Sequence, residues 1–322
     1  MDAGKRNSRE HQRDFAFWRD ASPEGGPPEP SPVLRREAAM SVNKWSMWAA
    51  AFGLAAATGG AAPANAADCA QDTLCRIITS GKLKAGVVVD YKPWGYRGGG
   101  GEFLGLEPDM ARDVAETLGV EVEFVQVNSA NRMEFLAQGQ IDLMIATMTD
   151  NLQRREVIGI VHPNYYSSGY NVIMPKSAKP PSWEALNGQK ICAIQGSWYN
   201  RPAQEKFGLD YLAFPGITEV EAALLGGRCI GWLFDDNLIN VMFADPSGKW
   251  SGFHMPLPSQ DDAPWGLAVR LDDLDKAWGR FMSGMLYEWH RSGQLLAWEK
   301  AHGVAESPFL RKSHAMFKDH LK

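Results

Sequence analysis

Beyond residue 67 this 322-residue chain has no uncharged apolar run of about 18 residues or more. That is the length a membrane-spanning helix needs, so this part is not expected to cross a bilayer. There is no excess of basic charge. Lys and Arg number 33 against 38 Asp and Glu, a net charge of -5, which argues against general nucleic-acid binding. Cysteine is scarce, four in all. No two cysteines form a C-x-x-C pair, and no histidines sit at ligand spacing, so no structural metal is expected. The four consecutive glycines at 98–101 are not followed by Lys-Ser/Thr, which removes a phosphate loop. His162, His254, His290 and His302 share no spacing with a Ser or Cys nucleophile, so no hydrolytic triad is legible. No repeat of solenoid period is present. No cofactor is expected.

What is present is a folding composition. The chain is 45% hydrophobic and 11% aromatic, too apolar to stay disordered, and long enough for two domains. Residues 40–66 read as a secretory signal peptide. Met40 can start translation, Lys44 gives a short basic region, an Ala-rich apolar stretch follows, and Ala64-Asn65-Ala66 is a cleavage site of the A-x-A kind. Residues 1–39 are charged and Pro-rich without periodicity, and read as a disordered extension or an overextended reading frame ahead of Met40. Export implies a periplasmic location and permits disulfides. Four cysteines allow three pairings. Cys69 and Cys75 are neighbours in sequence, while Cys192 and Cys229 each begin an apolar strand-like run. The expected bridges are therefore 69–75 and 192–229.

Along the rest of the chain, apolar runs alternate with helical patterns. A strand is expected at 84–89, a helix at 108–118 stopped by Gly119, a strand at 120–127, a short helix at 132–138 and a buried strand at 141–146. This β-α-β-α-β order implies parallel strands with right-handed crossovers. A second unit of the same kind follows from 169 to 236. A helix with Leu274, Trp278, Phe281, Met285 and Trp289 on one face comes near the end. The strand at 141–146 runs into Thr147-Met148-Thr149, and Arg154 opens the next helix. Ligands bind at the carboxyl ends of strands in open α/β sheets. Hydroxyls and a guanidinium gathered there make a cradle for a carboxylate.

Seven segments, in their order and spacing, carry a resemblance to the family 3 bacterial solute-binding proteins of the polar amino-acid ABC uptake type. They are GKLKAGV (81–87), GLEPDMARDVAETLGV (105–120), GQIDLMIATMT (139–149), the Arg154 segment, the turn at 163–166, QGS (195–197) and GRCIGWLFDD (227–236). The resemblance implies an α/β fold of two lobes, the type II periplasmic-binding-protein fold. Each lobe would hold a parallel-type sheet flanked by helices, with two hinge crossings between them. Lobe 1 would span 67–168, lobe 2 169–262, and 263–322 would return to lobe 1. It also implies a non-enzymatic, monomeric receptor that passes a free amino acid to a membrane permease.

Position by position, the resemblance gives Arg154 and Thr149 to the ligand α-carboxylate, with Thr147 nearby. Ser197 and the amide of Trp198 would meet the same carboxylate from lobe 2. Asp235 would take the α-ammonium, and Tyr91 would stack on the side chain. The chain departs from the family pattern at Asn151 and Trp198, where Thr is usual. Ser129 and Arg132, in the order Ser-Ala-Asn-Arg, resemble binders of acidic amino acids. The extra basic residue such binders often carry in the first strand is missing, Lys92 being the one substitute in range. Glutamate or aspartate, or the amides glutamine and asparagine, are the expected ligands. Alternatively, Arg132 pairs with Glu134 or another surface acid. The competing function is that of cyclohexadienyl (arogenate) dehydratases, which resemble these receptors and need a carboxylic acid beside the ligand. Glu102, Glu107 and Glu205 are the candidates for that acid, none at a convincing position.

Overall fold

The computed structural model describes Cys69 and residues 72–319. Every described residue belongs to one compact unit. The signal segment expected at 40–66 and the extension at 1–39 lie outside the described residues.

Helix α1 (Thr73–Ser80) is capped by the Asp72 carboxylate and ends on Gly81. It precedes β1 (Lys82–Val87), then three short strands, β2 (Asp90–Tyr91), β3 (Gly95–Arg97) and β4 (Phe103–Leu104). These form a small antiparallel sheet, so the glycine-rich loop is the turn of a hairpin. Next come α2 (Leu106–Leu118), β5 (Glu121–Gln126), α3 (Arg132–Ala137), β6 (Leu143–Met144), α4 (Leu152–Arg155) and β7 (Ile158–Ile160). The long strand β8 (Tyr166–Pro175) leads to β9 (Lys190–Ile194), α5 (Asn200–Phe207), β10 (Asp210–Phe214) and α6 (Ile217–Leu225). There follow β11 (Gly231–Asp235), α7 (Asp236–Phe243), β12 (Phe253–His254), β13 (Gln260–Trp265) and β14 (Ala268–Arg270). Helices α8 (Ala277–Ser292), α9 (Gln294–Ala301) and α10 (Pro308–Phe317) close the chain.

Two sheets define two lobes. Lobe 1 has the order β5-β1-β6-β14-β7, and lobe 2 the order β10-β9-β11-β8-β12, with β13 also paired to β8. In both sheets three neighbouring strands run parallel, β5-β1-β6 and β10-β9-β11. The others, β14 and β7 in lobe 1 and β8, β12 and β13 in lobe 2, add antiparallel pairings. The chain leaves lobe 1 through β8 and returns beside it through β13, where Tyr166 pairs with Trp265. These are the two crossings. An aromatic cluster fills them, with Trp94 edge-on to both Tyr166 and Trp265. Cys192 at β9 and Cys229 before β11 are bridged, as are Cys69 and Cys75.

Three elements differ from the sequence expectation. The strand expected over 141–146 is only two residues long. Pairing there is limited to Leu143 and Met144, although 141–149 is buried throughout. The buried stripe of α8 consists of Trp278, Gly279, Met282, Leu286, Trp289 and His290. Phe281 and Met285 sit at its margin, and Leu274 precedes the helix. Strand β13 has no counterpart among the expected strands, because its QDDAPW sequence has no apolar alternation to mark it.

Candidate functional site

Segments at or beyond the carboxyl ends of parallel strands in the two lobes meet, Tyr91 with Asp235 and Arg154 with Gly196, and the polar clusters stand there. After β6 the backbone turns at Thr147, which has φ 45°, a left-handed value rare for a β-branched residue. Its N–H donates to Glu107 Oε1 at 2.7 Å. Tyr165 donates its hydroxyl to the same oxygen at 2.5 Å. Glu107 opens α2 and is fully buried. Burial pushes its pKa up to about 7, against the opposing pull of the Tyr165 and Thr147 hydrogen bonds and the Arg132 charge.

Asn151 stands at the N-cap of α4 with extended backbone. Its side-chain oxygen caps α4 by accepting from the Arg154 N–H at 3.0 Å. Arg154 is buried, donating to Thr149 O at 2.8 Å and across the cleft to Gly196 O at 3.1 Å. Burial, and next the like charge of Arg132, lower its pKa to about 9. Arg155 points outward and forms a two-pronged pair with Asp150.

Asp235 ends β11 and occupies the N-cap position of α7, but its side chain makes no capping bond. Two tyrosine hydroxyls donate to its Oδ2 instead, Tyr91 from lobe 1 at 3.3 Å and Tyr199 from lobe 2 at 3.4 Å. Burial is the main cause that raises its pKa to about 7, with the Asp236 charge second. Arg132, only 2% exposed, donates through Nη1 to Ala146 O. Glu134 instead accepts from Gln138, so the alternative surface pair of Arg132 with Glu134 does not form. Among the described residues, Arg132, Arg154, Asp235 and Glu107 take part in no ion pair. Arg132 Nε, Thr147 Oγ1, Trp198 Nε1 and Glu107 Oε2 are buried without a hydrogen-bond partner.

The structure thus brings Tyr91, Arg132, Thr147, Thr149, Arg154 and Asp235 together as buried residues between the lobes. Ser129, Ser197 and Trp198 are half-buried at its edge. Gly196 (φ 83°) lies so close to lobe 1 that a Cβ there would stand 2.5 Å from Ser129 O. Lys92 is exposed and lies over the Tyr96 ring. Glu102 and Glu205 are exposed. Of the three candidate acids, only Glu107 reaches the buried cluster. Tyr199 has no assignment from the sequence. It stands two residues after Ser197, and that proximity is the one local signal in the sequence that could have marked it.

The profile of the bacterial extracellular solute-binding proteins, family 3, matches residues 83–318. The ABC transporter glutamine-binding protein GlnH of Bacillus subtilis is 31% identical over 206 residues, 62% of this chain and 74% of that protein. The cyclohexadienyl dehydratase of Pseudomonas aeruginosa is 36% identical over 85 residues, 26% of this chain and 32% of the enzyme. In three dimensions the chain is similar to the cysteine-binding protein of Campylobacter jejuni, with a TM-score of 0.67 at 24% identity, covering 78% of this chain and 96% of that one.

Proposed function

Because the chain belongs to the bacterial extracellular solute-binding proteins, family 3, we propose that it is the periplasmic receptor of an ABC amino-acid importer. It would clamp a free polar amino acid between its lobes, glutamate or aspartate or their amides, and deliver it to a membrane permease. One observation carries this reading. Arg154 from lobe 1 and Asp235 from lobe 2 are buried on opposite sides of the cleft, and neither has an ion-pair partner among the described residues. Buried charges are costly unless paired. A zwitterion satisfies both at once, its carboxylate on Arg154, Thr149, Ser197 and the Trp198 amide, its ammonium on Asp235. Ligand contacts on both lobes favour the closed state, so binding drives the hinge. Tyr91 lines the side-chain end, with Arg132 and Ser129 selecting its polar group.

A thermal-shift panel of the purified chain against the common amino acids tests this. A ligand at 100 times its Kd should stabilise by about 2.7 kcal/mol. The expected shift is with Glu, Asp, Gln or Asn, and no shift with any amino acid rejects the receptor reading. Arg154→Ala should weaken every amino acid by on the order of 100-fold or more, the cost of leaving a buried charge alone. Arg132→Ala should remove the preference for an acidic over an amide side chain.

A second reading has one observation in its favour. Glu107 is a fully buried acid with a pKa of about 7 beside Thr147 and Arg132, the poise a general acid needs. A dehydratase acting on arogenate or prephenate would use such a group. Turnover of either compound that disappears in Glu107→Gln would favour the enzyme over the receptor.

A further inference from the structure

Helix α6 begins in lobe 2 at Gly216, a residue with no side chain to cap it. The cap comes from the other lobe. The Ile217 N–H donates to Asp90 Oδ2 at 3.0 Å, and Asp90 lies on β2. Gly216 has the extended backbone of an ordinary N-cap (φ -155°, ψ -179°). A Cβ on it would lie 2.8 Å from Asp90 Oδ2, so the missing side chain is what admits the carboxylate. Asp90 keeps an exposed flank. Desolvation at the junction of the lobes nevertheless raises its pKa, with Glu219 adding to the rise and the Ile217 N–H opposing it. Asp90 forms no ion pair among the described residues. Its favourable partner is the positive end of a helix.

An ordinary N-cap belongs to its own helix and is present whether the lobes are open or shut. This one is split between lobes and exists only when they meet. We propose that Asp90 is a closure latch, a positioning residue that sets the balance of open and closed states without touching the bound amino acid. The inference rests on the receptor reading only in that the lobes part and close. A side-chain cap of ordinary strength corresponds to about a 5-fold change in that balance.

Two variants of the full chain separate closure from helix stability. Asp90→Ala removes the latch. Asp90→Ala with Gly216→Ser returns a cap to α6 from within lobe 2, without a link to lobe 1. Spin labels at Thr117 and Gln204, both exposed and on opposite lobes, report lobe separation in the unliganded protein. Calorimetry with L-glutamine and L-glutamate reports affinity. Asp90→Ala should shift the label distances toward the longer, open population and weaken whichever amino acid binds by up to about 5-fold. The double variant should regain thermal stability but keep both defects. Wild-type distances in Asp90→Ala, or affinity restored by Gly216→Ser, would overturn the latch. If no amino acid of the thermal-shift panel binds the wild type, the receptor reading fails, while the label distances still decide the latch.

Discussion

Asp235 is an acid held where a carboxylate is costly. With a pKa of about 7, it keeps a proton in the folded chain at pH values where an exposed Asp has lost it. The unliganded fold binds more protons than the unfolded chain between about pH 4 and 7, so its contribution makes the fold less stable as pH rises through that window. An ammonium placed beside it reverses the preference and expels the proton. Amino-acid affinity should therefore rise from pH 5 to pH 7 and level off above, by up to about tenfold per pH unit on the steep part. Calorimetry in two buffers of different ionisation enthalpy should show proton release near pH 6. Asp235→Asn should bind weakly with a flattened profile. A flat wild-type profile between pH 5 and 8 would remove Asp235 from the ammonium role. Glu107 titrates in the same range, so Glu107→Gln is the control that isolates Asp235. The placement of Asp235 was legible because it ends a buried strand in a dense motif. That of Glu107 was not, because an acid in the first turn of a helix is ordinary on electrostatic grounds. Its hydrogen-bond partner Tyr165 lies 58 residues away in sequence.

At the scale of elements, α4 is a four-residue helix whose placement depends on its cap. Asn151 Oδ1 holds the Arg154 N–H, and Arg154 then reaches Thr149 O and Gly196 O. Losing the cap releases the segment that aims the guanidinium. Asn151→Ala should destabilise the protein by about 1 kcal/mol and weaken amino-acid binding at the same time. Asn151→Thr should retain both, since Thr is also a capping residue. Chemical denaturation and calorimetry on the two variants check this, and equal affinity in Asn151→Ala would show that Arg154 is aimed by its carbonyl partners alone. Element type was readable where periodicity was strong, as in α2 and β1. It failed where tertiary pairing decides, as in β13, which is a strand because β8 lies beside it. The short β6 has the same cause, since its neighbours β1 and β14 offer partners over only a few residues.

At the scale of the whole molecule, the question is what closure requires. Two lobes meet through Tyr91 and Asp235, through Arg154 and Gly196, and through Asp90 and Ile217. Gly196 is the tightest of these approaches. Its φ of 83° already favours glycine, and a Cβ would stand 2.5 Å from Ser129 O and 3.0 Å from Ala130 Cα, both on the opposite lobe. Those are backbone atoms, which cannot swing aside as a flexible side chain would. The clash exists only when the lobes are shut, whereas the backbone strain is present in either state. Gly196→Ala should therefore show two effects of different size. The strain of roughly 1 kcal/mol should lower the melting temperature by roughly 2–4 °C. The clash should add a loss of affinity of at least about tenfold, seen as faster ligand release, because the closed state is the one it destabilises. An alanine variant that melts lower but binds and closes like the wild type would show that the lobes shut with more room at Gly196 than this contact allows.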